Sequence, residues 1–219
     1  MAAAKKKAIK EEGIDLNQYI EYIKGVVMTP LNVLPGYLAE KKSLNELFKM
    51  VAVVNLLTFI GVIIGDYLTP IPFTGMTLGN LGFGFVLQHA IVIYLGICLG
   101  PIVATYVMPE IDKSLLKLNY SKERWAKIFV FTSLPYMAAG ALYAIPNSGA
   151  LLQGLAGLYS LYLLFATLTK IRKVPQDLAI KGLLAYVITI MLVYSIFLGP
   201  IYNTFYDAAV NSAFGPYGY

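Results

Sequence analysis

Five long apolar runs constrain this chain more than any other feature. They cover residues 50–68, 83–107, 128–145, 151–168 and 182–202. Each is about as long as the hydrocarbon core of a bilayer requires, ~18 residues or more. The first is interrupted only by Asp66, and the second carries His89. Hydrocarbon offers no water to bond exposed peptide groups, so each run must satisfy its own N–H and C=O groups and is predicted to be a helix. A transmembrane barrel would read as ~10-residue segments of alternating polarity, a pattern this sequence lacks. Composition agrees: 13% of the 219 residues are charged and 58% are hydrophobic, against roughly 25% charged in soluble domains. The fold class predicted is all-α, a polytopic membrane protein of five transmembrane helices.

Basic residues then orient the chain. Lys5, Lys6, Lys7, Lys10, Lys24, Lys41, Lys42 and Lys49 precede or open the first run. Lys113, Lys117, Lys122, Arg124 and Lys127 lie between runs two and three. Lys170, Arg172, Lys173 and Lys181 lie between runs four and five. The segments 69–82, 146–150 and 203–219 contain none. Five crossings put all 17 basic residues on one face. By the excess of Lys and Arg in cytoplasmic loops, the N-terminus is expected in the cytoplasm and the C-terminus outside, with the chain in the cell membrane. The net charge of +5 follows from this sidedness and does not call for a nucleic-acid partner. It points instead to anionic inner-leaflet lipids, which attract each basic residue near the surface by ~1 kcal/mol.

Three regions follow. Residues 1–46 form a cytoplasmic segment, 47–205 the transmembrane bundle and 206–219 an extracytoplasmic tail. The first 46 residues are too polar for a cleavable signal peptide, so the first run is expected to serve as the insertion signal. Within this segment Leu16, Ile20, Ile23 and Val27 recur at helical spacing, Asp15 suits a cap, and Pro30 is expected to end the helix. An amphipathic helix lying on the inner surface or packed under the bundle is predicted, followed by a turn-rich connector over 30–36. Ser43 and Glu46 read as a capping box opening the first span. In the inner loop 109–127, Trp125 is expected to anchor at the interface. The short link 146–150 predicts an antiparallel hairpin of runs three and four.

Candidate chemistry is sparse. One histidine and one cysteine, Cys98, make a metal cluster implausible, and no phosphate loop or serine elbow is present. No cofactor and no enzymatic activity are expected. Polar groups within the runs are the remaining candidates, because intramembrane ionisable residues are costly to bury. Asp66 and His89, with Gln88 beside the histidine, fall toward the outer side, while Asn55 and Gln153 lie deeper. Asp66 and His89 could form an ion or proton site; alternatively Asp66 sits among headgroups and His89 bonds a neighbouring helix. Gly61 with Gly65 and Gly96 with Gly100 have the small-xxx-small spacing that lets helices approach closely, inside the bundle or across a homo-oligomer.

Several segments resemble one family. Pro30-Leu31-Asn32-Val33-Leu34 precedes the first run, and Phe131-Thr132-Ser133-Leu134-Pro135-Tyr136 lies in the third. Residues 155–168 carry Gly-Leu-Tyr-Ser-Leu-Tyr, and residues 173–181 read Lys-Val-Pro-Gln-Asp-Leu-Ala-Ile-Lys. Together they resemble the prokaryotic form of the Yip family, the Ypt/Rab-interacting membrane proteins, over about three quarters of the chain. The resemblance implies a five-span fold. Eukaryotic members act in membrane traffic and contact prenylated Rab GTPases; for prokaryotic members it implies the fold rather than a defined activity. The function expected is therefore non-enzymatic membrane organisation or adaptor work, with a homo-oligomer or another membrane protein as partner. A small transporter or channel with an outer-facing polar site is the alternative.

Overall fold

The computed structural model describes residues 15–70, 77–200, 203, 207, 211 and 215. The described chain is a helical bundle with no strand; Pro70 and Thr77 form an isolated bridge. Seven α-helices run in order: α1 (Leu16–Met28), α2 (Pro30–Ala39), α3 (Leu44–Leu68), α4 (Phe83–Ile111), α5 (Lys122–Ala138), α6 (Gly149–Ala166) and α7 (Gln176–Val193). A 3-10 turn at Leu78–Leu81 precedes α4, and a 3-10 segment, Ala139–Ala144, extends α5. Wide π turns at Asp112–Leu116, Thr167–Ile171 and Tyr194–Leu198 follow α4, α6 and α7.

Among the described residues, four helical segments are long and apolar enough to cross a membrane: Leu44–Leu68, Phe83–Leu116, Gly149–Ile171 and Gln176–Ile196. The sequence predicts five. The missing one is the run 128–145, which the structure divides between the end of α5 and the 3-10 segment. Pro135 lies within α5 and has no N–H to give, and four residues later the winding tightens. At 17 residues, α5 alone is short of the ~20 that a crossing helix needs. It is also the centre of the bundle. Every residue from Ile128 to Pro135 is buried, and α1, α2, α3, α4 and α6 all pack on it.

The N-terminal helix forms where the spacing predicts, with Asp15 accepting a hydrogen bond from the Gln18 N–H at 3.1 Å. A face other than the apolar stripe packs on the bundle. Leu16 and Ile20 are 58% and 57% exposed, whereas Tyr22 and Val26, one turn apart on another face, are buried. The aromatic ring decides the rotation. Tyr22 packs edge-on against Tyr37 and Phe131, with centroids 4.6 and 5.3 Å apart, and its hydroxyl reaches Glu40 at 2.5 Å. The connector expected at 30–36 is itself a helix, α2. Pro30 occupies its first turn, where the missing N–H costs nothing, and Leu34 and Leu38, spaced by one turn, are buried.

Trp125 corrects another expectation. It is fully buried, stacks on Phe129 with ring centroids 5.3 Å apart, and donates from Nε1 to Asp112 at 3.2 Å. An indole with a buried partner for its N–H has no need of the interface. At the opposite end of the bundle, α3 and the 3-10 segment meet backbone to backbone. Gly61 lies against the Gly140 carbonyl and Gly65 against that of Tyr143. Thr58 donates to the Met137 carbonyl at 3.3 Å across the same contact.

Candidate functional site

The clearest polar site joins α3 to α4. Ser43 and Glu46 cap the start of α3, the Ser43 N–H donating to Glu46 Oε2 at 2.5 Å and the Glu46 N–H to Ser43 Oγ at 3.3 Å. This fixes the helix whose last turn carries Asp66. Beyond it Tyr67 packs against Gly79, which draws the 3-10 turn back over the end of α3. Thr77 donates to Asn80 Oδ1 from its N–H at 2.6 Å and from its hydroxyl at 3.0 Å. Gly82 then starts α4 at φ 109°, a conformation glycine adopts without strain. His89, two turns into α4, is thereby brought beside Asp66.

His89 Nδ1 lies 2.8 Å from Asp66 Oδ2 and 3.1 Å from Oδ1. Both side chains are largely buried, at 15% and 11% exposure. A contact this short between two such groups requires a proton between them. The pair is able to hold a proton, or to move one if a second polar group approaches. Gln88 is about 100° further around α4 and exposed; it faces away from the pair. Among the described residues no group of three or more His, Cys, Asp or Glu side chains could hold a metal ion.

Deeper in the bundle, a second set of polar groups ties helices together. Asn55 donates to Cys98 Sγ at 3.4 Å, joining α3 to α4, and the Tyr94 hydroxyl donates to the Ala52 carbonyl at 3.1 Å. Gln153 is buried on α6, with its Nε2 lacking a hydrogen-bond partner among the described residues. Gly96 and Gly100 lie on α4 with Gly100 against Ile190 of α7, and both line a cavity of about 310 Å³ between α4, α5, α6 and α7.

The basic residues gather at the other end, where an arrangement not foreseen from sequence pins α1 and α2 beneath α5. Lys127 of α5 donates to the carbonyls of Leu38, at 3.3 Å, and Glu40. Glu40 accepts from Tyr22 and pairs with Lys42 at 3.4 Å. Burial, reinforced by the bond to Glu40 and its charge, raises the Tyr22 pKa well above that of a free phenol. Next to this platform, fully buried Asp112 gathers the turn after α4. It accepts from the N–H groups of Leu118 at 2.6 Å and Tyr120 at 2.7 Å, besides the Trp125 indole. Arg172 sits beside Tyr120 and Arg124; burial first and the Arg124 charge second lower its pKa. An acid directly after an apolar helix, followed by a polar loop, was the available signal for Asp112. Nothing in the spacing marked Tyr22 or Lys127.

No protein-family model, no curated protein and no solved structure matches this chain.

Proposed function

We propose that this chain is a non-enzymatic, Yip-like integral membrane protein that organises other membrane components through its basic face. In this reading the bundle crosses the bilayer five times, α5 and its 3-10 extension making the third crossing. The basic end faces the cytoplasm and the C-terminus lies outside. The observation that carries the reading is the pinned platform of α1 and α2. Lys127, Glu40 and Tyr22 hold two short helices across the base of the central helix. Leu16, Ile20, Val27 and Met28 remain exposed on them. A scaffold needs such a rigid face, and the neighbouring lysines suit it to anionic inner-leaflet lipids. Apolar outward positions on the same helix suit it to the interface or to a second copy or another membrane protein.

The central helix supports the same reading, since it is filled on all sides with apolar and aromatic groups. The Asp66–His89 contact favours a second one, a small transporter whose outer-facing site holds a proton or cation. The two readings separate in one experiment. A photo-crosslinker placed at Ile20 in native membranes is expected to give a discrete protein adduct that Lys127→Met abolishes. Proteoliposomes are expected to show no proton or cation flux that depends on Asp66. Flux lost in Asp66→Asn, with no protein adduct at Ile20, would establish the transporter instead.

A further inference from the structure

The cavity between α4, α5, α6 and α7 has a cause in the sequence. Gly96 and Gly100 on α4 and Gly154 and Gly157 on α6 contribute no side chains to a space of about 310 Å³, near the lower limit for ligand pockets, ~300 Å³. It lies near the middle of α4 and α6 and against the C-terminal halves of α5 and α7; α4, α6 and α7 belong to segments apolar and long enough to cross a membrane. Its mouth opens sideways. Of the lining residues, Leu158 of α6 and Met191 of α7 are 65% and 62% exposed, while the α5 side, with Ser133 and Met137, is buried. A gap between α6 and α7 at this depth faces lipid tails.

The hydroxyls around the cavity are already engaged within the bundle. Thr132 donates to the Ile128 carbonyl at 2.7 Å. Ser133 and Tyr186 bond each other at 3.2 Å, and Ser160 accepts from the Tyr136 N–H at 3.2 Å. The walls therefore present carbon and satisfied oxygens, a poor surface for a hydrated solute. An apolar space without partners forfeits dispersion contacts along its whole lining and does not hold water well.

We propose that this cavity holds one acyl chain of a bilayer lipid, admitted sideways between α6 and α7. The inference rests on the membrane-embedded reading and goes beyond it, giving the bundle a lipid-tail site separate from the Asp66–His89 pair. At roughly 30 Å³ for a group of water size, the space takes about ten methylenes, most of one chain. A partly ordered lipid held there would become a structural part of the bundle wall.

The full chain reconstituted in phosphatidylcholine carrying a mid-chain diazirine provides the test. After irradiation, peptide mapping is expected to find adducts on Met137 and Tyr186, which are buried from bulk lipid, as well as on outward-facing Leu155 and Ile188. Gly157→Phe places a ring in the cavity beside Tyr136, whose ring is 3.4 Å from that position. Gly154→Phe acts as the second variant, because a side chain there starts with nothing within 4 Å and leaves the fold undisturbed. Either variant is expected to lower labelling of Met137 and Tyr186 at least about fivefold by filling the space, with Leu155 and Ile188 unchanged. Wild-type labelling confined to Leu155 and Ile188, or cavity labelling that both variants leave intact, overturns the inference alone. Labelling of none of the four positions overturns the membrane reading with it.

Discussion

Gly61→Ala probes the closest approach in the bundle. A methyl group at this position would press into the Gly140 carbonyl oxygen and lie 3.0 Å from Ala141 Cα and 3.1 Å from its carbonyl oxygen. Carbon contacts are comfortable at about 3.5–4.0 Å, so α3 and the 3-10 segment have to part. Every clashing atom belongs to backbone, so no side chain can swing aside. Overpacking of this kind costs about 1–3 kcal/mol. Parting also stretches the Thr58 bond to the Met137 carbonyl, already 3.3 Å long, and losing a buried bond costs about 1 kcal/mol more. Alanine's better helix propensity returns roughly 1 kcal/mol. The expected net loss is about 1–3 kcal/mol. Unfolding of the purified chain by added SDS in mixed micelles, followed by fluorescence of the buried Trp125, measures it. Gly36→Ala on α2 is the control, since a Cβ there meets nothing within 4 Å; it is expected to stabilise by about 0.5–1 kcal/mol. A Gly61→Ala chain as stable as wild type, beside a well-behaved control, would refute the packing described here.

Three further outcomes are expected. Asp66→Ala removes the carboxylate partner of a largely buried histidine and should destabilise by about 1–3 kcal/mol in the same titration, with Asp66→Asn, which can still accept a bond, costing less. Tyr22 has a folded-state pKa raised above its unfolded value, so its contribution is fully present below the ordinary phenol pKa of about 10 and is lost as pH rises beyond it; stability in the same SDS titration should fall more steeply above about pH 10 in the wild type than in Tyr22→Phe. Lys122→Cys should resist an impermeant maleimide in intact cells and react after permeabilisation; labelling from outside would reverse the proposed orientation.

Much of the helical layout could be read in advance because burial in hydrocarbon leaves the backbone one local solution. The capping box at Ser43 and the cap at Asp15 were legible for the same reason: each is settled within four residues. That the helices carrying Asp66 and His89 are neighbours follows from their antiparallel succession, but the 2.8 Å contact also required a helix rotation that spacing does not specify. Which face of α1 meets the bundle is a rotation that spacing alone leaves open. Leu16, Ile20 and Val27 outnumber Tyr22 as apolar residues, yet the ring that fits against Phe131 decides the buried face. Trp125 went the same way, because its partner Asp112 lies 13 residues away and only the folded turn brings it there. Pro30 and Pro35 suggested a connector, although a proline in the first turn of a helix breaks no bond. The shortness of α5 was hidden because a hydropathy run records apolar residues without regard to how tightly the chain winds.

Beyond its charged first turn, α5 is buried over Ile128–Pro135 and there answers to its neighbours alone. For α5 the selective constraint is volume, and solubility in any surrounding medium hardly enters. Outward positions on α6 and α7, such as Leu155, Ile188 and Leu192, are free to drift among apolar residues one at a time. Phe131 is not, since its ring is shared with Tyr22 at 5.3 Å and Tyr37 at 5.4 Å; a change in any one of the three leaves a gap or a collision for the other two. Diverged descendants of this chain should therefore carry substitutions at these three positions as a set. Their joint history would record the docking of the N-terminal platform more faithfully than the conservation of any single residue.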